Sequence, residues 1–306
     1  RPLRPDHFVG EWPKQSAALD GALAFLTCAF SALVSFALER DVGASATIWL
    51  ANGVAIGIAV SAPRGRRMAI LLLGLLGQVA AGLLFSGSVE KASIFAPGNF
   101  LEIVLGTYLL GQSGIALRFN SESRLFLRVL WLGALLPSFV SALAGALTIG
   151  AVSNGTFVTA WIEWFINSAL GSLVSLPLTL ALRSRESMRE VRSAGFWLTL
   201  VVVAVGGLVC FALGPYPFGL ASAGLLGVAF LKTRLILFAS ALLVVLAFCL
   251  AVKHGLLTPA TSDTALGHLI MDWTLLLVVI PAQMVAVISA RQRALDEVIS
   301  AVGSQS

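Results

Sequence analysis

Apolar runs of roughly 16 to 25 residues recur along this chain, broken by short separators that carry charge, glycine or proline. A helix of about 20 apolar residues crosses a hydrocarbon core of about 30 Å. Lipid offers the backbone no hydrogen-bond partner, so such segments must be helices. The pattern predicts spans at 18–38, 47–62, 68–86, 99–117, 126–151, 158–182, 196–214, 217–231, 235–252 and 268–290. The second and eighth are short, which suits little tilt or a partly re-entrant path. Pro63-Arg64-Gly65 follows the second, Pro97-Gly98 precedes the fourth and Gly214-Pro215-Tyr216-Pro217 precedes the eighth, all turn-forming punctuation. The expected fold class is all-α: a polytopic transmembrane helical bundle followed by a short cytoplasmic signalling helix.

Composition strengthens this reading. Hydrophobic residues make up 58% of the 306 and charged residues only 11%, against about 25% charged in a soluble domain. The net charge of +5 does not point to nucleic acid, because its sources sit in alternate separators. Seventeen Lys and Arg fall on one side of the predicted bundle, and only Arg40, Lys91 and Lys253 fall on the other. The positive-rich side is expected to be cytoplasmic. Ten spans then put both termini inside, which fits a bacterial inner membrane. Cys28, Cys210 and Cys249 lie singly in apolar runs, without the spacing of a disulfide framework or a zinc site.

Three segments are expected: residues 1–17 as a cytoplasmic N-terminal stretch, 18–290 as the membrane domain, and 291–306 as the start of a cytoplasmic helix. The chain begins with Arg1 and ends Gly303-Ser304-Gln305-Ser306, so it is expected to be a piece of a longer protein. Pro281 should kink the last span, and Ile288–Val302 continues without a turn signal. Ile288, Leu295 and Val302 repeat at seven, the spacing of a short parallel coiled coil and equally of an ordinary snorkelling helix end.

Polar residues inside a membrane are costly and by default mark function. Asn52 stands in the second span, Asn99 and Glu102 open the fourth, Glu163 and Asn167 open the sixth, and His268 and Asp272 open the tenth. All fall near helix N-termini in the outer half of the bilayer. Asn99 and Glu102 are three apart and His268 and Asp272 four apart, so each pair shares a helix face. Trp49-Leu50-Ala51-Asn52 and Trp164-Phe165-Ile166-Asn167 both read W-x-x-N, followed by Pro63 and Pro177, a weak internal repeat. The plainer readings are an aromatic belt for Trp161 and Trp164 and a mutual or capping hydrogen bond for His268 and Asp272. Gly53-x-x-x-Gly57, Gly74, Gly77 and Ser141-x-x-x-Gly145 suit close helix packing.

Several functions are excluded. H-E-x-x-H, Walker A and G-x-S-x-G motifs are absent. Three histidines, with His7 ahead of the first span, do not supply paired haem ligands. This segment is read as non-catalytic and free of cofactor and metal.

The same residues carry a resemblance. The stretch from about 20 to 290 resembles the first class of membrane-associated sensor domain, MASE1, an input module of bacterial diguanylate cyclases and histidine kinases. The carriers are Ile48-Trp49-Leu50-Ala51-Asn52-Gly53-Val54-Ala55 with Pro63-Arg64-Gly65-Arg66, then Gly98-Asn99-Phe100-Leu101-Glu102, then Trp164-Phe165-Ile166-Asn167-Ser168-Ala169-Leu170-Gly171 ending in Leu176-Pro177-Leu178. Leu50 stands where members often have Pro, and Asn167 where they often have Asp. The resemblance implies a sensory domain whose output lies beyond Ser306.

The expectation is therefore a module that binds a small ligand or a membrane partner near the outer face. Trp49, Asn52, Asn99, Glu102, Trp164 and Asn167 are the candidate ligand-binding residues, and His268, Asp272 and Pro281 the candidate coupling residues. A homodimer in the lipid bilayer, formed through the C-terminal helix, is expected. The alternative is a proton-coupled secondary transporter with Glu102 or Asp272 as the coupled site. A third reading is an anchor that only tethers its output.

Overall fold

Short polar caps start the apolar helices. Ser16, Thr156 and Thr233 each precede an apolar run, and each side-chain oxygen accepts a backbone N–H of the first turn, satisfying a donor that the helix leaves unpaired. The computed structural model describes residues 16–38, 48–111, 123–150, 156–183, 185–213, 217–231, 233–257 and 264–303. Among these all regular structure is helical.

The first half comprises α1 (Ala17–Ala37), α2 (Ala51–Ser61), α3 (Arg67–Ser86), the short α4 (Val89–Ser93), α5 (Ala96–Gly111), α6 (Ser123–Arg128), a π-helical stretch (Val129–Leu135), α7 (Leu136–Gly150) and α8 (Phe157–Leu182). After the short α9 (Arg185–Val191) come α10 (Ala194–Leu213), α11 (Pro217–Leu231), α12 (Arg234–Lys253) and α13 (Thr264–Gly303). Among the described residues eight segments are long and apolar enough to cross a membrane, and Ala51–Ser61 and Pro217–Leu231 are shorter apolar helices. The predicted polytopic bundle is observed, and the two short spans are the two predicted to be short.

The second span departs from a simple helix. The pattern predicts a helix from 47; instead residues 48–50 lie outside regular structure and α2 has only 11 residues, about 16 Å at 1.5 Å per residue. Unwound backbone at membrane depth must find partners in protein, and here it does. The Trp49 N–H donates to the Asn167 carbonyl (3.0 Å). The Leu50 N–H donates to Ser35 Oγ (3.2 Å), and the Leu50 carbonyl accepts from Ser175 Oγ (2.9 Å). At the other end of α2, Arg67 donates to the carbonyls of Val60 and Ala62, both at 3.3 Å. Pro97 also shifts role: it lies in the first turn of α5, where its missing N–H costs nothing, rather than in a separator before it.

α2 is the axis of the first half, packed by α1, α3, α5 and α8, and its residues 51–53 and 55–60 are all buried. The small residues singled out in the sequence permit this approach. A methyl group on Gly53 would meet Ser175 and the Ser172 backbone, one on Gly57 would lie 2.7 Å from Thr179, and one on Gly77 would strike the Phe25 carbonyl. Because lipid tails are as apolar as the side chains, such contacts rather than hydrophobic burial hold the helices together.

α8 connects the halves, touching α2 and α7 on one side and α12 and α13 on the other. α12 is the most enclosed span and α10 the most open. The arginines of the α2–α3 connection meet the start of α1, where Arg66 pairs with the Asp20 carboxylate at 3.0 Å. Partial burial lowers the Arg183 guanidinium from its ordinary value, and the nearby Asp20 charge pulls it back up. At the opposite end Lys253 Nζ donates to the Ala37 carbonyl, which complements the negative end of α1. α13 runs unbroken through Pro281 for 40 residues, about 60 Å and so twice the hydrocarbon thickness. The side chains of Leu295 and Val302, which would form the heptad seam with Ile288, lie outside the described residues.

Candidate functional site

Three turns of different helices converge on one carboxylate. Trp49 and Asn52 lie three apart where α2 begins, and Trp49 Nε1 donates to Asn52 Oδ1 (3.3 Å). Asn52 Nδ2 then donates both to Asn99 Oδ1 (3.1 Å) and to Glu102 Oε2 (2.9 Å). Asn99 and Glu102, three apart on α5, therefore face α2 together, as their helical spacing predicts.

Four serines complete the shell around Glu102. Ser138 and Ser172 donate to Oε1 at 3.0 and 3.1 Å. Ser141 donates to Oε2 at 3.0 Å, and Ser168 donates to the same oxygen. Glu102, Asn52, Ser138, Ser141 and Ser172 are all 0% exposed. A carboxylate offers about four lone-pair sites on two oxygens, so five donors saturate it. All five are neutral. Four are hydroxyls, each able to rotate and to accept as well as donate, so the shell can rearrange without moving a backbone.

Position on the helices explains the convergence. Ser138 and Ser141 are three apart, just beyond the π-helical stretch, and Ser168 and Ser172 are four apart on α8. Each pair therefore presents one face. The π-helical turn shifts the face that α7 presents relative to α6, and such turns recur at functional sites. The outcome is one polar node that ties α2, α5, α7 and α8.

The residues predicted from sequence divide in two. Trp49, Asn52, Asn99 and Glu102 are joined in this network. Asn167 reaches the same corner through its main-chain carbonyl, which holds the Trp49 N–H, while its side chain is half-buried. Trp164 plays a packing role. Its ring lies 2.6 Å from where a Gly98 methyl would stand and directly over Gly145, and it packs against Phe95 at 5.7 Å between ring centres. The two W-x-x-N segments thus meet in space without playing equivalent parts. Asp272 is buried on α13, Pro281 is exposed within it, and the side chain of His268 lies outside the described residues.

The serines are not singled out by the sequence, because a serine in a membrane helix reads as a small packing residue, as Ser141 does in Ser141-x-x-x-Gly145. Their three- and four-residue spacing, the same signal that paired Asn99 with Glu102, was available. Nor does the sequence single out two buried carboxamides, Gln78 on α3 and Gln283 on α13. Gln283 answers a gap in α8. Pro177 has no N–H, so the carbonyl four residues earlier, Leu173, lacks its helical donor. Gln283 Nε2 donates to that carbonyl at 3.0 Å. The bond starts one residue past Ser172, so the helix that surrounds Glu102 is also the helix that holds α13.

The profile of the MASE1 family matches residues 21–293 of the chain. No match to a curated protein or to a solved structure was found.

Proposed function

The chain belongs to the MASE1 family of membrane sensory input domains, and on that premise we propose that it receives a small ligand or a membrane partner near the outer ends of α2, α5 and α8 and relays a helix shift through α13 to a cytoplasmic output. The output meant is a diguanylate cyclase or histidine kinase beyond residue 306. The membrane is the bacterial inner membrane, with both termini in the cytoplasm. The arginines at 64, 66, 67, 128, 183, 189, 192 and 234 at alternate connections support that orientation. The working unit is a homodimer joined along the cytoplasmic part of α13.

The observation that carries this reading is the Gln283–Leu173 hydrogen bond. It joins the output helix to the helix that supplies Ser168 and Ser172 to the polar node. A signal can shift an equilibrium only by its differential affinity for two arrangements. Rotatable hydroxyls around one acid supply alternative arrangements at low cost, and the Pro177 gap supplies a contact on α13 that must follow them. Asp272, buried about three turns before Gln283 on the same helix, adds a second point of coupling.

Two results test the reading in the full-length protein with its output attached. Gln283→Leu preserves volume but leaves the Leu173 carbonyl unpaired, so it is expected to lower stability by only about 1 kcal/mol. Basal output should persist while the response to signal falls at least about tenfold, the change that a lost coupling of about 1.4 kcal/mol produces. Replacing the spans with an unrelated dimeric anchor should abolish regulation altogether. Regulation that survives the replacement would show that the domain only tethers its output.

A further inference from the structure

The acid at the centre of the node has no counter-charge among its partners. Its five donors are four hydroxyls and one carboxamide, and Glu102 itself is 0% exposed. It is surrounded by α2, α3, the π-helical stretch, α7 and α8, in which residues 51–61, 68–89, 129–150 and 164–182 carry no titratable side chain. Charges stand only toward the ends of these elements. Arg67 is bonded to the carbonyls of Val60 and Ala62, Arg128 precedes the π-helical stretch, and Glu163 and Arg183 lie in the second turn and at the end of α8. Glu90 and Lys91 on α4 and Tyr108 on α5 are exposed. Burying an ionised carboxylate without a counter-charge is costly, and such a group is either held ionised by hydrogen bonds or takes up a proton.

We propose that the node is a proton-binding switch, in which Glu102 takes up and gives up one proton inside the closed bundle while Ser141 and Asn52 exchange partners. Ionised, the carboxylate accepts from all five donors. The incoming proton occupies one lone pair of Oε2 and leaves about three acceptor sites, so two donors must go elsewhere. Two have a second acceptor in place. Ser141 Oγ lies 3.1 Å from the Ser138 carbonyl, and Asn52 Nδ2 lies 3.1 Å from Asn99 Oδ1. When Ser141 turns its hydrogen to that carbonyl, its oxygen, 3.0 Å from Oε2, accepts the new O–H of the acid. Ser138, Ser168 and Ser172 keep their places. Every group is then paired in both charge states by hydroxyl rotation, with no helix displaced. Asn99, one turn before Glu102, also lines a cavity of about 10 Å³, room for roughly one water, so a proton donor has a place within one turn of the acid.

The proposal names the regulation of the site that the sensory reading assigns, and it rests on that reading for its consequence. A hydrogen bond to an ionised group is about twice as strong as a neutral one. Loss of the proton therefore tightens α2, α7 and α8 on α5, and its uptake loosens them. α8 passes the difference to α13 through Leu173 and Gln283.

The test uses the whole chain in lipid nanodiscs, with the proton as the probe and infrared spectroscopy as the readout. A protonated carboxyl gives a C=O band distinct from the bands of a carboxylate, and Glu102→Gln identifies the Glu102 band among the 15 Asp and Glu. A Glu102 band that appears and disappears with pH as one proton binds and leaves is expected. Asn52→Ala removes a donor that only the ionised form uses, so this variant should bind the proton about tenfold more tightly, a midpoint about one pH unit higher. A merely structural role for Asn52 would not move that midpoint, and where Glu102→Gln folds poorly the shift itself assigns the band. A Glu102 band that is missing at every pH at which the helices stay folded, one that pH leaves unchanged, or an equal midpoint in Asn52→Ala would overturn the proposal. Failure of the sensory reading is seen separately. It is the survival of regulation after the anchor replacement, which this titration does not touch.

Discussion

Glu102→Leu is expected to lower the stability of the domain by roughly 3–5 kcal/mol, the scale of two or three buried donors left unpaired at about 1–3 kcal/mol each. The physical cause is the donors left behind rather than the acid removed. Asn52 Nδ2 would keep only Asn99, and the hydroxyls of Ser138, Ser141, Ser168 and Ser172 would lose a common acceptor in a place closed to solvent. Some recover: Ser141 Oγ already lies 3.1 Å from the Ser138 carbonyl, and hydroxyls on a helix can turn back to the preceding turn. Each group that cannot recover costs about 1–3 kcal/mol. Glu102→Gln retains one acceptor oxygen and should lose only about 1–2 kcal/mol on the same reasoning. The measurement is unfolding of wild type and both variants in one lipid composition. A Glu102→Leu protein within about 1 kcal/mol of wild type would mean that the node contributes no more than an ordinary surface substitution, and the account given for it would fail.

Gly171→Ala carries the second large effect. Its added methyl would land on the carbonyl oxygen of Trp49, close to that carbonyl carbon and 3.0 Å from the Trp49 nitrogen. These are backbone atoms of the non-helical stretch before α2, held by Asn167, Ser35 and Ser175. They cannot swing aside as a flexible side chain would. The expected loss is about 3 kcal/mol, the upper end for overpacking, together with displacement of Trp49 and Asn52 from the node. Gly206→Ala is the control, since nothing lies within 4 Å of its added methyl. There the helix should gain up to about 1 kcal/mol of intrinsic propensity. Thermal unfolding of the two variants in parallel checks the contrast. Equal behaviour would show that the approach of residues 48–50 to α8 is not tight.

Much of this molecule is legible from local pattern. The length of an apolar run and the spacing of polar residues are properties of neighbouring positions, so they predicted ten apolar helices, two of them short. They also predicted that Asn99 and Glu102 share a face. The alternation of arginine-rich connections is equally local. It is consistent with the cross-helix ion pair of Asp20 with Arg66, which joins the start of α1 to the α2–α3 connection.

What the tertiary structure decided is which polar groups find one another. The serines reach Glu102 across 36 to 70 positions of chain, and Gln283 reaches Leu173 across 110. Nothing in the sequence near Ser138 distinguishes a hydroxyl that packs from one that donates to an acid on another helix. The unwinding of residues 48–50 was equally hidden, because an apolar stretch reads the same whether its backbone bonds to itself or to Ser35, Asn167 and Ser175. Gln78 shows the same limit in reverse, since only the folded bundle leaves its amide buried without a partner among the described residues. In a membrane the apolar code fixes where the chain crosses, because lipid rewards any long apolar helix alike. The choice of partners falls to packing and hydrogen bonding between helices, and these are three-dimensional facts.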